Sequence, residues 1–162
     1  MDFEYDATTQ DLRERVQAFM DERVYPAEPV FAEQMKALED PWAWTRAPVI
    51  SELREEARAR GLWNLFLPGE HGAGLTNLQY APLAEITGQC GHLAPAAMNC
   101  AAPDTGNMEV LTQFGTDRQK KQWLGPLPTG AIRSTFARTE PDVAPTQPTS
   151  LARHPRATRA HR

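Results

Sequence analysis

Apolar positions recur at three- and four-residue spacing along most of the chain. Leu12, Val16, Phe19 and Met20 predict a helix over about Thr9 to Val24, with acids and arginines on its other face. Pro26 and Pro29 are expected to interrupt it. Val30, Phe31, Met35 and Leu38 predict a second amphipathic helix over about Pro29 to Leu38. Asp40-Pro41-Trp42-Ala43-Trp44 reads as a linker whose two aromatics pack onto the helices. A third helix opens near Pro48, buries Leu53 and Ala57, and ends at Gly61 as a C-cap. Its Glu52, Glu55 and Glu56, with Arg54, Arg58 and Arg60, read as a solvated surface rather than an acid–base pair.

Leu62 to Leu67 then runs apolar into Pro68-Gly69-Glu70-His71-Gly72-Ala73-Gly74. Three glycines and a proline describe a tight turn. The loop holds Gly-x-x-Gly-x-Gly, which matches neither a dinucleotide fingerprint nor a P-loop. Thr76-x-x-Gln79 is a capping-box pattern opening a helix through Ile86, with Pro82 inside it and Gly88 and Gly91 closing it. Ala94 to Ala102 fits a closely packed helix. Met108, Val110, Leu111 and Phe114 predict another, ended by Gly115. Thr116-x-x-Gln119 is a second capping box, starting a short helix to Leu124. Pro126, Pro128 and Gly130 break it. Trp63 and Trp123 are expected as core anchors. From Ile132 to Ala137 the period changes to two, predicting the first strand after a helical body.

With 162 residues and 41% apolar content, the chain can bury the core of one compact domain. Its apolar runs are too short to span a bilayer, and the acidic N-terminus has no signal-peptide pattern, so a cytoplasmic location is expected. Cys90 and Cys100 stand at no Cys-x-x-Cys or Cys/His ligand spacing, and His71 and His92 have no partner at ligand or triad spacing, so no metal site is expected. The net charge is −4, but residues 145–162 hold four arginines and no acid, leaving −8 on the first 144 residues. That body is not a nucleic-acid binder by charge.

Several motifs resemble, in order, those of acyl-CoA dehydrogenases. Gly61-Leu62-Trp63-Asn64-Leu65-Phe66-Leu67-Pro68, followed by Gly74-Leu75-Thr76-Asn77, is similar to the N-terminal domain of that family. Asn99-Cys100-Ala101-Ala102-Pro103-Asp104-Thr105-Gly106-Asn107-Met108-Glu109 resembles a branch found in some large mitochondrial and peroxisomal members and in bacteria. Phe114-Gly115-Thr116 through Gln119-Lys120-Lys121-Gln122-Trp123-Leu124 resembles a family helix, and Phe136-Ala137-Arg138-Thr139-Glu140-Pro141-Asp142-Val143-Ala144 resembles its flavin-binding strand and turn. The likeness runs over roughly residues 8 to 144.

The resemblance implies a mainly α fold: a helical acyl-CoA dehydrogenase N-terminal domain over 1–130, the start of a middle β-domain over 131–144 as one orphan strand, and a disordered basic tail over 145–162. It implies FAD-dependent α,β-dehydrogenation of acyl-CoA thioesters, with the α-proton removed by a glutamate of the family's C-terminal part. No residue here corresponds to that base, so this chain alone is expected to be an inactive fragment that does not retain FAD. Acyl-CoA and electron-transfer flavoprotein are the implied partners of the full-length family, which is expected to form homo-oligomers without a membrane. Phe136, Arg138, Thr139 and Glu140 are the implied cofactor-binding residues. A hydroxyl at Thr139 can donate to a reduced flavin without adding charge. Arg138 departs from the pattern, which carries an apolar residue there. Asn99, Asp104 and Thr105 are candidates for the substrate groove, and a structural cap is an equal reading of Asp104, Thr105 and Asn107. Taken without the resemblance, Phe136 and Thr139 read as a strand core residue and a turn hydroxyl.

Past Ala144 the resemblance stops. Read from the third base of the Pro145 codon, the codons of Pro145 to Leu151 permit Asp-Ala-Thr-Asn-Ile, the family's continuation. A frameshift just after Ala144 is therefore expected. The competing reading is a real tail whose arginines bind a phosphate backbone. The alternative for the whole chain is a non-catalytic helical interaction module.

Overall fold

The structure, a computed structural model, describes residues 4–38 and 47–136. The linker around Trp42 and Trp44, and residues 137–162, lie outside the described residues, and so do the predicted turn after Phe136 and the tail.

Helix α1 (Ala7–Phe19) opens on Asp6, whose carboxylate accepts from the Thr9 N–H at 2.7 Å. The same carboxylate accepts from Gln79 Nε2 at 2.8 Å, joining the starts of two helices. Leu12, Val16, Phe19 and Met20 are buried as the spacing predicted, and Thr9 joins them. The prolines do not end the helix. Pro26 has no N–H for the Glu22 carbonyl and Pro29 none for that of Tyr25, so the α-ladder loses two bonds. The chain widens instead into a π turn (Met20–Val24), with the Tyr25 N–H on the Met20 carbonyl, and continues as α2 (Tyr25–Lys36). The second helix thus starts earlier than Pro29, and Val30 and Met35 are exposed rather than buried.

Helix α3 (Pro48–Ala59) starts at Pro48 and ends in a Schellman arrangement. Gly61 takes φ +67°, Leu62 N–H bonds the Ala57 carbonyl at 2.8 Å, and Gly61 N–H bonds that of Arg58 at 3.0 Å. Arg54, expected on the solvated face, is buried along with Val49, Ile50, Leu53 and Ala57. The Gly-rich loop carries one 3₁₀ turn (Gly69–His71). A side chain at Gly72 would place its Cβ 2.0 Å from the Leu67 carbonyl oxygen, so only glycine closes this loop.

Helix α4 (Asn77–Gly88) begins at the predicted capping box, and Pro82 is carried inside it. Helix α5 (Ala94–Ala97) is a single turn, shorter than the predicted Ala94–Ala102. It stops because Asn99 turns into the left-handed region at φ +57°, and a cis Ala102–Pro103 bond follows. Helix α6 (Asp104–Phe114) and the short α7 (Asp117–Gln119), with its own capping box, run into a second π turn (Lys120–Leu124). Ile132–Phe136, the described part of the predicted strand, forms no ladder among the described residues. A strand needs a neighbour to take its bonds, and here side chains of α6 take them.

Two apolar clusters result. The larger gathers α1 to α5 around Phe19, Met20, Leu62, Leu83 and Met98. The smaller holds Phe66, Leu67, Met108, Leu124 and Leu127 beneath α6 and the second π turn. Tyr80 and Cys100 touch both. No described helix is long and apolar enough to cross a membrane.

Phe19 is fully buried in the larger cluster. Phe19→Ala is expected to lower unfolding stability by about 3–5 kcal/mol, measured by urea denaturation. The Thr9 N–H, then the Gln79 amide, hold the Asp6 carboxyl below its ordinary value of 3.8. The resulting stability is present above that value and is lost as pH falls through the lower folded pKa. The excess thermal stability of the native chain over Asp6→Asn should therefore shrink as pH falls below 3.8; a difference that stays constant on acidification would disprove the assignment.

Candidate functional site

Among the described residues, α6 carries an open apolar surface. A helix buried on one side needs one apolar stripe, and Met108 with the half-buried Leu111 supplies it. Val110 and Phe114 form a second stripe four residues apart that points outward, 56% and 78% exposed. Trp123 and Phe136 extend this surface and are also exposed. Trp123 is thus a surface residue rather than the expected core anchor, because Leu124 and Leu127 fill the position beneath α6.

Two cavities open on this face. One of about 590 Å³ is lined by Val110, Leu111, Trp123, Leu127 and Ile132, with Asn107, Arg133 and Ser134 at its polar edge. The other, about 440 Å³, lies between the Ala102–Asn107 corner, Val110 and Phe136. Asn107 and Val110 line both.

The polar edge of the larger cavity is held by Asp104, the first residue of α6. Its carboxylate is almost wholly buried and accepts from both the N–H and the hydroxyl of Ser134, each at 2.6 Å. It also pairs with Arg133. Asn107 Nδ2, one turn along, donates to Ser134 Oγ at 2.8 Å and to the Thr135 carbonyl at 3.3 Å. Asp104 and Asn107 thus fasten residues 133–135 across the start of α6. This is an anchoring role, and the start of α6 carries no side-chain cap.

Of the other residues expected from sequence, Thr105 and Phe136 do line the smaller cavity. Asn99 lines neither cavity. It is buried, and its amide donates to Asn64 Oδ1 at 2.7 Å while accepting from Arg54 at 3.2 Å. Arg138, Thr139 and Glu140 lie outside the described residues. Val110, Trp123, Ile132 and Arg133 line the larger cavity and were not expected from sequence as site residues. The available signal was the surplus of apolar residues on α6 beyond a single stripe.

The turn that leads into this segment is held from below. Trp63 Nε1–H and Asn64 Nδ2 both donate to the Pro128 carbonyl, at 2.6 and 2.8 Å. Arg58 stacks on the Trp63 ring at 3.9 Å and donates to the Thr129 carbonyl. Arg54 faces the same ring at 4.9 Å. Gly130, at φ +71°, leaves room for the Arg54 guanidinium, which a Cβ would meet at 2.6 Å. Below the cavities, burial and then the adjoining Cys100 thiol push the Tyr80 hydroxyl upward, and burial likewise raises Cys100. Both groups therefore stay protonated and serve packing rather than nucleophilic chemistry.

The family model described as "Acyl-CoA dehydrogenase, N-terminal domain" matches residues 6–131. The chain is 54% identical over 144 residues to "Probable acyl-CoA dehydrogenase FadE2" of Mycobacterium tuberculosis, covering 89% of this chain and 35% of that protein. It is 48% identical over 143 residues to "Acyl-CoA dehydrogenase family member 11" of Gallus gallus, covering 88% of this chain and 18% of that one. Among solved structures, "Structure of a putative acyl-CoA dehydrogenase from Mycobacterium abscessus" superposes with a TM-score of 0.82 at 44% identity, over 92% of this chain and 38% of the other. The chain thus spans about a third or less of the length of these relatives.

Asp104→Ala removes the acceptor for Ser134 and Arg133 together. It should cost about 1–3 kcal/mol and raise amide hydrogen exchange at Ser134 while leaving exchange in α1 unchanged.

Proposed function

Because the chain belongs to the acyl-CoA dehydrogenase family, we propose that its α6 face is one wall of the site in which an acyl-CoA thioester is dehydrogenated with FAD as acceptor. The observation that carries this reading is the pair of adjoining apolar cavities along α6, lined by Val110, Trp123, Ile132 and Phe136. They offer what a long acyl chain or the side of a planar ring system requires: apolar area with a few polar groups at the edge.

The described residues fit one wall of such a site and no more. Arg133, the cation at the cavity edge, is already paired to Asp104 and offers no free charge to a phosphate. FAD, when bound, supplies the hydride-accepting chemistry. In this reading Val110, Trp123 and Ile132 exclude water from an acyl chain. Phe136 bounds the ring side of the wall, and Arg138, Thr139 and Glu140 follow it as the remaining cofactor contacts. Asp104 and Asn107 act as positioning residues, fixing where Phe136 leaves α6. The reading assigns no catalytic base to this chain; the glutamate that removes the α-proton belongs to the family's C-terminal part. Electron-transfer flavoprotein as the electron acceptor, and assembly into homo-oligomers, belong to the same proposal for the whole protein.

The openness of the α6 face favours a second reading, a non-catalytic helical module that docks another protein there. Tryptophan fluorescence distinguishes the two. Titration of the purified chain with a long-chain acyl-CoA should give a saturable change centred on Trp123. Free coenzyme A should give none, and Val110→Asp should weaken the response at least about tenfold, since it places a charge on the apolar wall. No saturable response, or one unaffected by Val110→Asp, would leave the docking module as the better reading.

A further inference from the structure

Away from the α6 face, the fold brings together three potential ligand atoms that lie far apart in the sequence. Glu28 stands on α2, and Cys90 and His92 stand in the turn between α4 and α5. A carboxylate oxygen, the thiol sulfur and an imidazole nitrogen all lie within 4.8 Å of one another. Cys90 Sγ is 4.0 Å from His92 Nε2. In a tetrahedral zinc site, bonds of about 2.3 Å to sulfur and about 2.05 Å to nitrogen put those two atoms about 3.6 Å apart. The Cys90–His92 pair is therefore a few tenths of an ångström from that spacing, and the Glu28 carboxylate lies within 4.8 Å of both.

We propose that Glu28, Cys90 and His92 form a binding site for a zinc-type divalent transition metal, with water as the fourth ligand. The donor set carries the choice of ion. A thiolate and an imidazole favour zinc and cobalt over magnesium or calcium, which prefer all-oxygen shells. Burial is graded across the set, with Cys90 buried, Glu28 half-buried and His92 exposed, which leaves one side open for entry and for the water. The surroundings hold the ligands in place. The Phe31 ring lies 5.5 Å from that of His92, and the Tyr25 hydroxyl donates to Gln89 Oε1 at 2.9 Å, tying α2 to the same turn. Without an ion, burial and then the Glu28 carboxylate push the Cys90 thiol up to about 11. On binding, the thiol proton passes to solvent and a metal–sulfur bond forms, so the carboxylate and thiolate face a dication instead of each other. The metal would clamp α2 to the α4–α5 turn, on residues that line neither α6 cavity.

Cobalt(II) titration of the full chain tests this. A thiolate-to-cobalt charge-transfer band should grow, saturate at one ion per chain and disappear on adding zinc. Cys90→Ser should abolish the band and Cys100→Ser should leave it. Glu28→Gln and His92→Ala should keep the native circular dichroism yet each weaken cobalt binding by roughly tenfold or more, the scale seen for even outer partners of metal ligands. Zinc should raise the melting temperature of the native chain but not of His92→Ala. The proposal fails if no saturable band forms, if the band survives Cys90→Ser, or if neither Glu28→Gln nor His92→Ala changes the affinity.

Discussion

The relation between the two apolar clusters rests on one buried amide pair, Asn64 and Asn99. Both residues take left-handed backbone, at φ 58° and 57°. Asparagine tolerates that region better than most residues because its side chain is short and polar. Each sits where one segment must turn sharply, after Trp63 in one case and after α5 in the other. Their side chains then meet at 2.7 Å, and Asn64 reaches on to the Pro128 carbonyl. One amide thus joins the α3 exit, the α5 exit and the turn before Ile132. If that pair were lost, the Leu127–Gly130 turn would be held to the α3 exit only by Trp63 on the Pro128 carbonyl and Arg58 on that of Thr129. The geometry of the α6 face is set from beneath.

Arg54 shows how such a node limits its neighbours. Its guanidinium is enclosed by Asn99, the Trp63 ring and Gly130, and its Nε has no hydrogen-bond partner. Among the described residues no carboxylate pairs with it. Its charge is met by an amide oxygen and a ring face, a weaker arrangement than an ion pair but one that leaves Glu52 and Glu55 of α3 in solvent. Glycine at 130 is then required twice over, by its positive φ and by the space the guanidinium occupies.

Much of the fold was legible in the sequence because its signals are local. Both capping boxes, the Gly61 C-cap and the α1 stripe depend on residues within one or two turns of each other. The readings that needed correction depend on the third dimension. Pro26 and Pro29 read as breakers, since a sequence does not tell whether a π turn will absorb their missing N–H groups. Arg54 read as surface because its enclosure is built by residues 45 and 76 positions away. Trp123 read as core because volume, not pattern, decides whether Leu124 and Leu127 have already filled the space. The family likeness pointed to Asn99, Asp104 and Thr105 together; in the fold Thr105 lines the smaller cavity, while Asn99 is buried against Asn64 and Arg54. Glu28 and His92 carried no joint signal, since one stands on α2 and the other in the α4–α5 turn, more than sixty positions away.

The two π turns have a consequence for chain length. A π turn, such as that closed by the Tyr25 N–H on the Met20 carbonyl, holds one residue more than the α-helix around it. Losing a residue from Met20–Val24 would restore the α period there, and everything after it would rotate by about 100° about the axis. Ala27 would swing off the larger cluster and Glu28 would leave Cys90. The same holds for Lys120–Leu124 and the placing of Leu127. The widened turns act as phase adjusters: they let two helices carrying unrelated side-chain registers be written as one continuous rod.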